Sequence, residues 1–287
     1  MVNNSKDISR KEVKNWFYSL QNTICDGLLS VEKEFYKNFN GSFEKKKWIR
    51  KDEIHEIEDG GGGITAKLYG NVFEKGGVNV SEVFGNFNET MKKEIPGASD
   101  DPRFWASGIS IVIHPKNPHV PIIHMNTRRI ETSKSWFGGG IDLTPVYSYE
   151  DDTNYFHKEL KDTCDSYDKD YYKKFKERCD EYFLIKHRNE PRGVGGIFYD
   201  YLNTGNIDND FSFTKSVGET FLKSYLPIVR KNMNKPYSEE DILNQSIKRG
   251  RYVEFNLVYD RGTRFGLLTN GNIDAILMSM PPIAKWK

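Results

Sequence analysis

The order of elements along the chain predicts an α+β fold with a large, mainly antiparallel sheet covered by helices. Three observations carry this. A helical apolar period opens the chain, with Val13, Phe17, Leu20, Ile24, Leu28, Val31 and Phe35 recurring at steps of three and four. Segments of period two follow between residues 64 and 144. Helical patterns then return before a second alternating stretch near the C-terminus. No linker or shift in composition divides the 287 residues, so a single domain over 1–287 is expected.

Each element has a local reason. Ser9-Arg-Lys-Glu12 is a capping box for the first helix, and Gly41 a stop. Gly60 to Gly63 form an unbroken glycine run that reads as a flexible turn, because no helix follows to make it an anion cradle. Residues 64–73 and 78–87 read as strands about the turn Glu74-Lys-Gly-Gly77. Residues 108–129 read as two strands about the turn from Pro115 to Pro121, and residues 136–145 as another. Residues 151–165 and 170–187 carry helical spacing, and 197–202 a strand. A helix over 217–226 ends at Pro227, and Ser238-Glu-Glu-Asp241 starts another. Residues 249–260 alternate as a strand, turned at Arg261-Gly262 into 263–269. Asn270-Gly271 is a hairpin dipeptide, and 276–280 a last apolar segment.

Composition excludes several classes. Lysine plus arginine number 42 against 41 aspartate plus glutamate, so no global field recruits nucleic acid or an anionic membrane. Any anion site must be local. Cys25, Cys164 and Cys179 are odd in number and far apart, which argues against a disulfide framework and for a reducing compartment. The first residues lack a secretory or transit pattern, and no apolar run reaches membrane-spanning length, so a cytoplasmic protein with no membrane insertion is expected.

Candidate chemistry gathers on one strand face. Ser110 and His114 lie opposite Ile109, Ile111 and Ile113, while His124, Asn126 and Arg128 share a face of the next strand. A symmetric register sets Ser110 opposite Arg128 and His114 opposite His124. Leaving such groups buried and unpaired costs about 1–3 kcal/mol each, so the face meets solvent or holds a polar ligand. Asp142 follows three glycines that let another group approach it.

There is no P-loop, dinucleotide glycine fingerprint, His-Glu-x-x-His, paired-cysteine zinc pattern or Gly-x-Ser-x-Gly elbow. Two chemistries stay open. Histidines His114, His124, His157 and His187 could converge on a metal. Alternatively, Arg128, with Arg192 or Arg251, forks onto substrate carboxylates while Asp142 accepts from N–H groups. A non-enzymatic module for an acidic partner is a third reading.

Four segments carry a resemblance. They are Gly108-Ile-Ser-x-Val-Ile-His-Pro-x-Asn-Pro-x-x-Pro-x-x-His-x-Asn-x-Arg128, Trp136-Phe-Gly-Gly-Gly-x-Asp-Leu-Thr-Pro145, His187-Arg-x-Glu-x-Arg-Gly-x-Gly-Gly196 and Arg249-Gly-Arg-Tyr-Val-Glu-Phe-Asn256. In these the chain resembles the oxygen-dependent coproporphyrinogen III oxidases, from the first long helix to Trp286. The resemblance implies a flat antiparallel sheet between two helical layers and oxidative decarboxylation of two propionates of coproporphyrinogen III to vinyls. It implies molecular oxygen as co-substrate and no haem, flavin or nicotinamide. It also implies a homodimer, expected through C-terminal strands within 250–280.

By carry-over, Asp142 holds pyrrole N–H groups, His124 is the proton donor, and Arg128 binds a propionate. Ser110, Asn126, Arg192, Asn270, Gly271 and Asn272 contact substrate. Asn272 stands where the family usually has arginine. Some family members are described with manganese and others as needing none; the expectation here is no obligatory metal, with the four histidines as candidate ligands. A histidine-ligated metal oxygenase acting on another aromatic acid, or a non-catalytic tetrapyrrole carrier, are the alternatives.

Overall fold

The computed structural model describes residues 8–50, 59–268 and 271–287. Its centre is an antiparallel meander of β1 (Glu44–Ile49), β2 (Gly61–Leu68), β3 (Phe73–Asn86), β4 (Arg103–Pro115), β5 (Ile122–Glu131) and β6 (Ser135–Thr144). After a two-stranded ribbon, β7 (Leu184–Ile185) with β8 (Glu190–Pro191), strand β9 (Gly195–Leu202) pairs antiparallel with β6 and completes a seven-stranded sheet. The helices are α1 (Arg10–Phe35), α2 (Glu89–Glu94), α3 (Glu150–Asp165), α4 (Tyr171–Tyr182), α5 (Ile207–Asn232), α6 (Glu239–Val258), α7 (Arg261–Leu268) and α8 (Ile273–Ile276). The expected α+β class is observed.

Period two divides the sheet into two faces. The odd residues of β4 to β6, including Ile109, Ile111, Met125 and Ile141, join Phe17 and Ile24 of α1 and Phe213 and Phe221 of α5 in the main core. The even face is covered by the C-terminal helices. Tyr252 of α6 packs on Val112 and Ile122, Phe255 on Phe198, and Phe265 of α7 on Phe87 and Phe104. All three cysteines are buried and free, in α1, α3 and α4.

Several boundaries differ from the sequence reading, each for a visible reason. The glycine run is not a loop: Gly61 to Gly63 lie in β2, where a Cβ on Gly62 would stand 2.1 Å from the Trp48 carbonyl oxygen of β1. The turn between β2 and β3 falls at residues 69–72 rather than 74–77. Buried Glu32 of α1 fixes it there, accepting the backbone N–H groups of Asn71, Val72 and Phe73. β1 went unforeseen because it is a charged edge strand, Glu-Lys-Lys-Lys-Trp-Ile. Helix α4 stops at Tyr182, short of His187.

Pro227 does not end its helix; α5 runs on to Asn232. Proline removes the N–H that would bond the carbonyl four residues back. That carbonyl, on Lys223, instead accepts the Tyr155 hydroxyl at 3.0 Å.

The largest difference is at the C-terminus, where the helix expected from the Ser238 capping box runs on as α6 through residues expected as a strand, and α7 follows in place of another strand. The inward stripe of α6 runs Gln245, Arg249, Tyr252, Asn256, which is helical spacing in mostly polar residues. An interface built from C-terminal strands is therefore ruled out, because residues 250–258, 261–268 and 273–276 are helical. Asn270 lies outside the described residues.

Candidate active site

The β4–β5 register is shifted by two from the expected one: Ser110 pairs with Asn126, Val112 with His124 and Gly108 with Arg128. Buried Asn117 sets the turn off centre. Its side chain accepts from His119 N and donates to the carbonyl oxygens of Met233 and Lys235 beyond α5. A shift of two preserves the facing of every side chain, so Ser110, His124, Asn126 and Arg128 still share the even face.

On that face β6 sets Asp142 beside His124, and β5 sets Arg128 beside Gly138. Glycine at 138 leaves room for both side chains, because a Cβ there would come within 2.7 Å of Asp200 Oδ1 and 3.0 Å of Arg128 Nη2 and displace them. From the segment after β8, Arg192 reaches down through the layer of α6.

These groups form one connected chain. Asn256 Oδ1 accepts from Arg192 Nη1 at 2.9 Å. Arg192 Nη2 donates to both oxygens of Asp142, each at 2.8 Å. Asp142 Oδ1 also accepts from His124 Nδ1 at 2.8 Å. Asn126 Nδ2 meets His124 Nε2 at 3.2 Å, and Asn126 Oδ1 accepts from Arg128 Nη1 at 2.8 Å. Arg128 Nη2 pairs with Asp200 at 2.9 Å, and Arg261 pairs with the other Asp200 oxygen at 3.2 Å.

Asp142 and Arg192 are almost wholly buried, at 2 % and 1 % exposure. Burial by itself would push the Asp142 carboxyl up. The Arg192 guanidinium and the His124 hydrogen bond outweigh it and hold the group below the ordinary carboxylate range. Arg192 is desolvated among aromatic rings, 4.0 Å from the centroid of Phe183 and 4.7 Å from those of Tyr252 and Phe255.

The chain fixes the histidine tautomer. A guanidinium can only donate, so Arg128 turns the Asn126 oxygen toward itself and the amide N–H toward His124 Nε2. An ionised Asp142 requires the proton on Nδ1. His124 thus donates from Nδ1 to Asp142 and accepts the Asn126 N–H at Nε2, on a ring that lines the cavity.

The cavity, about 410 Å³, is walled by Ser110, His124, Asn126 and Arg128 on the sheet and by Asn256, Arg261 and Phe265 above. Ser110, His124, Asn126, Arg128, Asp142 and Arg192 are therefore brought together. Asp142 lies beneath His124 with both oxygens occupied, and it does not line the cavity. Gly271 and Asn272 do not line it either; Asn272 caps α8, accepting from Ala275 N at 2.9 Å. Arg251 pairs with Glu190 and Glu254 and is not part of the cavity wall.

The candidate metal histidines do not converge. Buried His114 bonds the Ser279 carbonyl at 2.8 Å, and burial pushes it down to about 3, so it stays neutral. His157 of α3 bonds the Val194 carbonyl and Tyr172, and His187 bonds Glu254 and Tyr259. Each ring is committed to a different neighbourhood, and among the described residues no three His, Cys, Asp or Glu side chains group to hold an ion.

Sequence reasoning missed Asn256 as Arg192's partner, and Asp200 and Arg261 altogether. Asn256 was legible only in helical spacing with Tyr252. Asp200 sits next to Tyr201, whose φ of +57° gives no signal in the sequence.

The sequence profile of the coproporphyrinogen III oxidase family matches residues 12–287. The chain is 53% identical over 281 residues to the oxygen-dependent coproporphyrinogen-III oxidase of Rickettsia bellii (strain OSU 85-389), covering 97% of this chain and 98% of that one. It is 53% identical over 283 residues to the protein of that name from Rickettsia akari (strain Hartford), covering 97% and 99%. To the one from Rickettsia rickettsii (strain Sheila Smith) it is 51% identical over 284 residues, covering 98% and 99%. With the match running through the strands, the ribbon and α6 that build the site, the chain belongs to the coproporphyrinogen III oxidase family.

Proposed function

We propose that the chain catalyses the oxygen-dependent oxidative decarboxylation of two propionates of coproporphyrinogen III to vinyl groups, giving protoporphyrinogen IX in haem biosynthesis. The observation that carries this reading is an imidazole, anchored by a buried carboxylate, beside Arg128 in a walled cavity. At each propionate the carboxylate leaves as carbon dioxide and the carbon next to the ring loses a hydrogen, while two electrons pass to oxygen.

Molecular oxygen is the co-substrate, and no resident cofactor is invoked. Arg128 would hold a propionate, Ser110 and Asn126 would contact the macrocycle, and His124 Nε2 would exchange the proton. Asp142 and Arg192 fix the imidazole and the local charge from below. Acceptance of pyrrole N–H groups by Asp142 itself would require the layer above it to open, since the carboxylate is buried and does not line the cavity. The protein contributes orientation and charge stabilisation.

The reading includes a cytoplasmic homodimer. Its contact is proposed on the C-terminal helices, where Leu257, Val258 and Ile273 are exposed. Sedimentation of the wild type and of Leu257→Glu tests this: a dimer that becomes monomeric in the variant supports it, and a wild-type monomer refutes it.

The test of function is aerobic turnover of coproporphyrinogen III by chelator-treated protein, following oxygen uptake and divinyl product together. Product formed without added metal supports the proposal. Ligand binding with no oxygen uptake favours a carrier instead, and turnover restored only by manganese favours a metal oxygenase.

A further inference from the structure

Arg261 opens α7 over the cavity with its side chain 53% exposed. Its guanidinium lies 5.3 Å from the Tyr182 ring centroid and 5.7 Å from that of Phe198, which hold it over the sheet face. Its one ion pair among the described residues is a single contact of 3.2 Å to Asp200 Oδ2. The other oxygen of Asp200 pairs with Arg128, so one carboxylate serves two guanidiniums. Neighbouring Asp260 makes no ion pair with either arginine among the described residues; its oxygens accept from the Tyr182 hydroxyl and from the N–H and O–H of Thr263.

Asp200 is itself held in place. It accepts from Tyr201 N at 3.1 Å, with Tyr201 in the left-handed region, and it takes the space left by the absent Cβ of Gly138. Two arginines thus share one fixed acid, and both line the cavity.

We propose that Arg261 is a substrate-positioning residue that grips, together with Arg128, one propionate carboxylate of the substrate, with Asp200 as the built-in carboxylate that spaces the two guanidiniums. This rests on reading the cavity as the site of a tetrapyrrole polycarboxylate. The propionate adds an anion on the open side of the pair, where the guanidiniums keep unused N–H donors. Because Arg261 stands on α7 and Arg128 on β5, a bound propionate also ties the C-terminal cover to the sheet.

The experiment measures anaerobic equilibrium binding of coproporphyrinogen III and aerobic kcat for the wild type, Arg261→Gln and Asp200→Asn. Loss of a charged hydrogen bond predicts that Kd rises about tenfold or more in Arg261→Gln. kcat at saturation should stay within about twofold, since positioning and not proton transfer is lost. Asp200→Asn keeps the shape of the spacer and removes only its negative charge, so Kd should fall. If Arg261 only ties α7 to β9, both variants weaken binding alike, and that outcome overturns the proposal.

An unchanged Kd in Arg261→Gln also overturns it. Should that variant fail to fold, Arg261→Lys keeps the charge and loses the fork, and an unchanged Kd there is equally decisive. A wild type that binds and does not turn over refutes the function and leaves this inference to the Kd values; a wild type that does not bind refutes both.

Discussion

Arg128 Nη1 donates to Asn126 Oδ1 at 2.8 Å, and this one bond decides which end of the Asn126 amide meets His124 Nε2. Asn126→Asp puts an acceptor where a donor stood, which favours the doubly protonated ring and removes the lone pair the proposed chemistry needs. Its kcat should fall by about 10² or more, the scale of a lost general base. Asn126→Ala, which leaves the lone pair free, should fall less. Steady-state kinetics on both variants, with imidazole nitrogen shifts to report the tautomer, check the order.

Asp142→Ala should abolish turnover and also weaken the fold. Arg192 is buried with Asp142 as its ionic partner, and a buried charge stripped of its partner costs about 3–5 kcal/mol. Urea unfolding of the variant measures this. A variant as stable as wild type would mean that Arg192 has found another acceptor.

Glu254 gives a pH prediction. The Arg188 guanidinium at 2.5 Å, opposed by partial burial and aided by His187 and Trp286, pushes its carboxyl down to about 2. A depressed carboxyl contributes stability that is fully present above its unfolded value, about 4.3, and lost as pH falls toward 2. Glu254→Gln should therefore narrow the stability difference between pH 5 and pH 2.5, read by thermal melts at both.

Tyr155 and Pro227 should be coupled. Tyr155→Phe leaves the Lys223 carbonyl without its hydroxyl donor, at a cost of about 0.5–1.5 kcal/mol. In a Pro227→Ala background the helix supplies its own N–H, so the cost of Tyr155→Phe should shrink. A double-mutant cycle by urea unfolding reads the coupling.

The sequence revealed most where an element buries an apolar stripe. The first helix, β4 to β6, and the shared face of Ser110, His124, Asn126 and Arg128 all follow from such periods. It found the start of α6 at the Ser238 capping box but failed in the second half of that helix, whose buried side is polar: Gln245 and Arg249 both donate to the Pro115 carbonyl, and Asn256 holds Arg192. A hydrophobic period cannot register a helix that docks on a polar face. The three glycines before Asp142 mark it as approachable without naming what approaches. That Arg192, on a segment 50 residues later, pairs with it depends on how the β7–β8 ribbon folds back over β6.

The meander has a consequence for the order in which the chain becomes active. β1 through β6 pair each with its predecessor, so the sheet can grow hairpin by hairpin as the chain is made, from contacts close in sequence. The parts that anchor the imidazole come later: Arg192 after the ribbon, and Asn256 only with α6. A nascent chain can thus hold His124 and Asp142 side by side on a finished sheet with the carboxylate still lacking its guanidinium. Catalytic competence would be among the last properties acquired during synthesis, and regained activity would report completion of the fold more strictly than regained sheet content does.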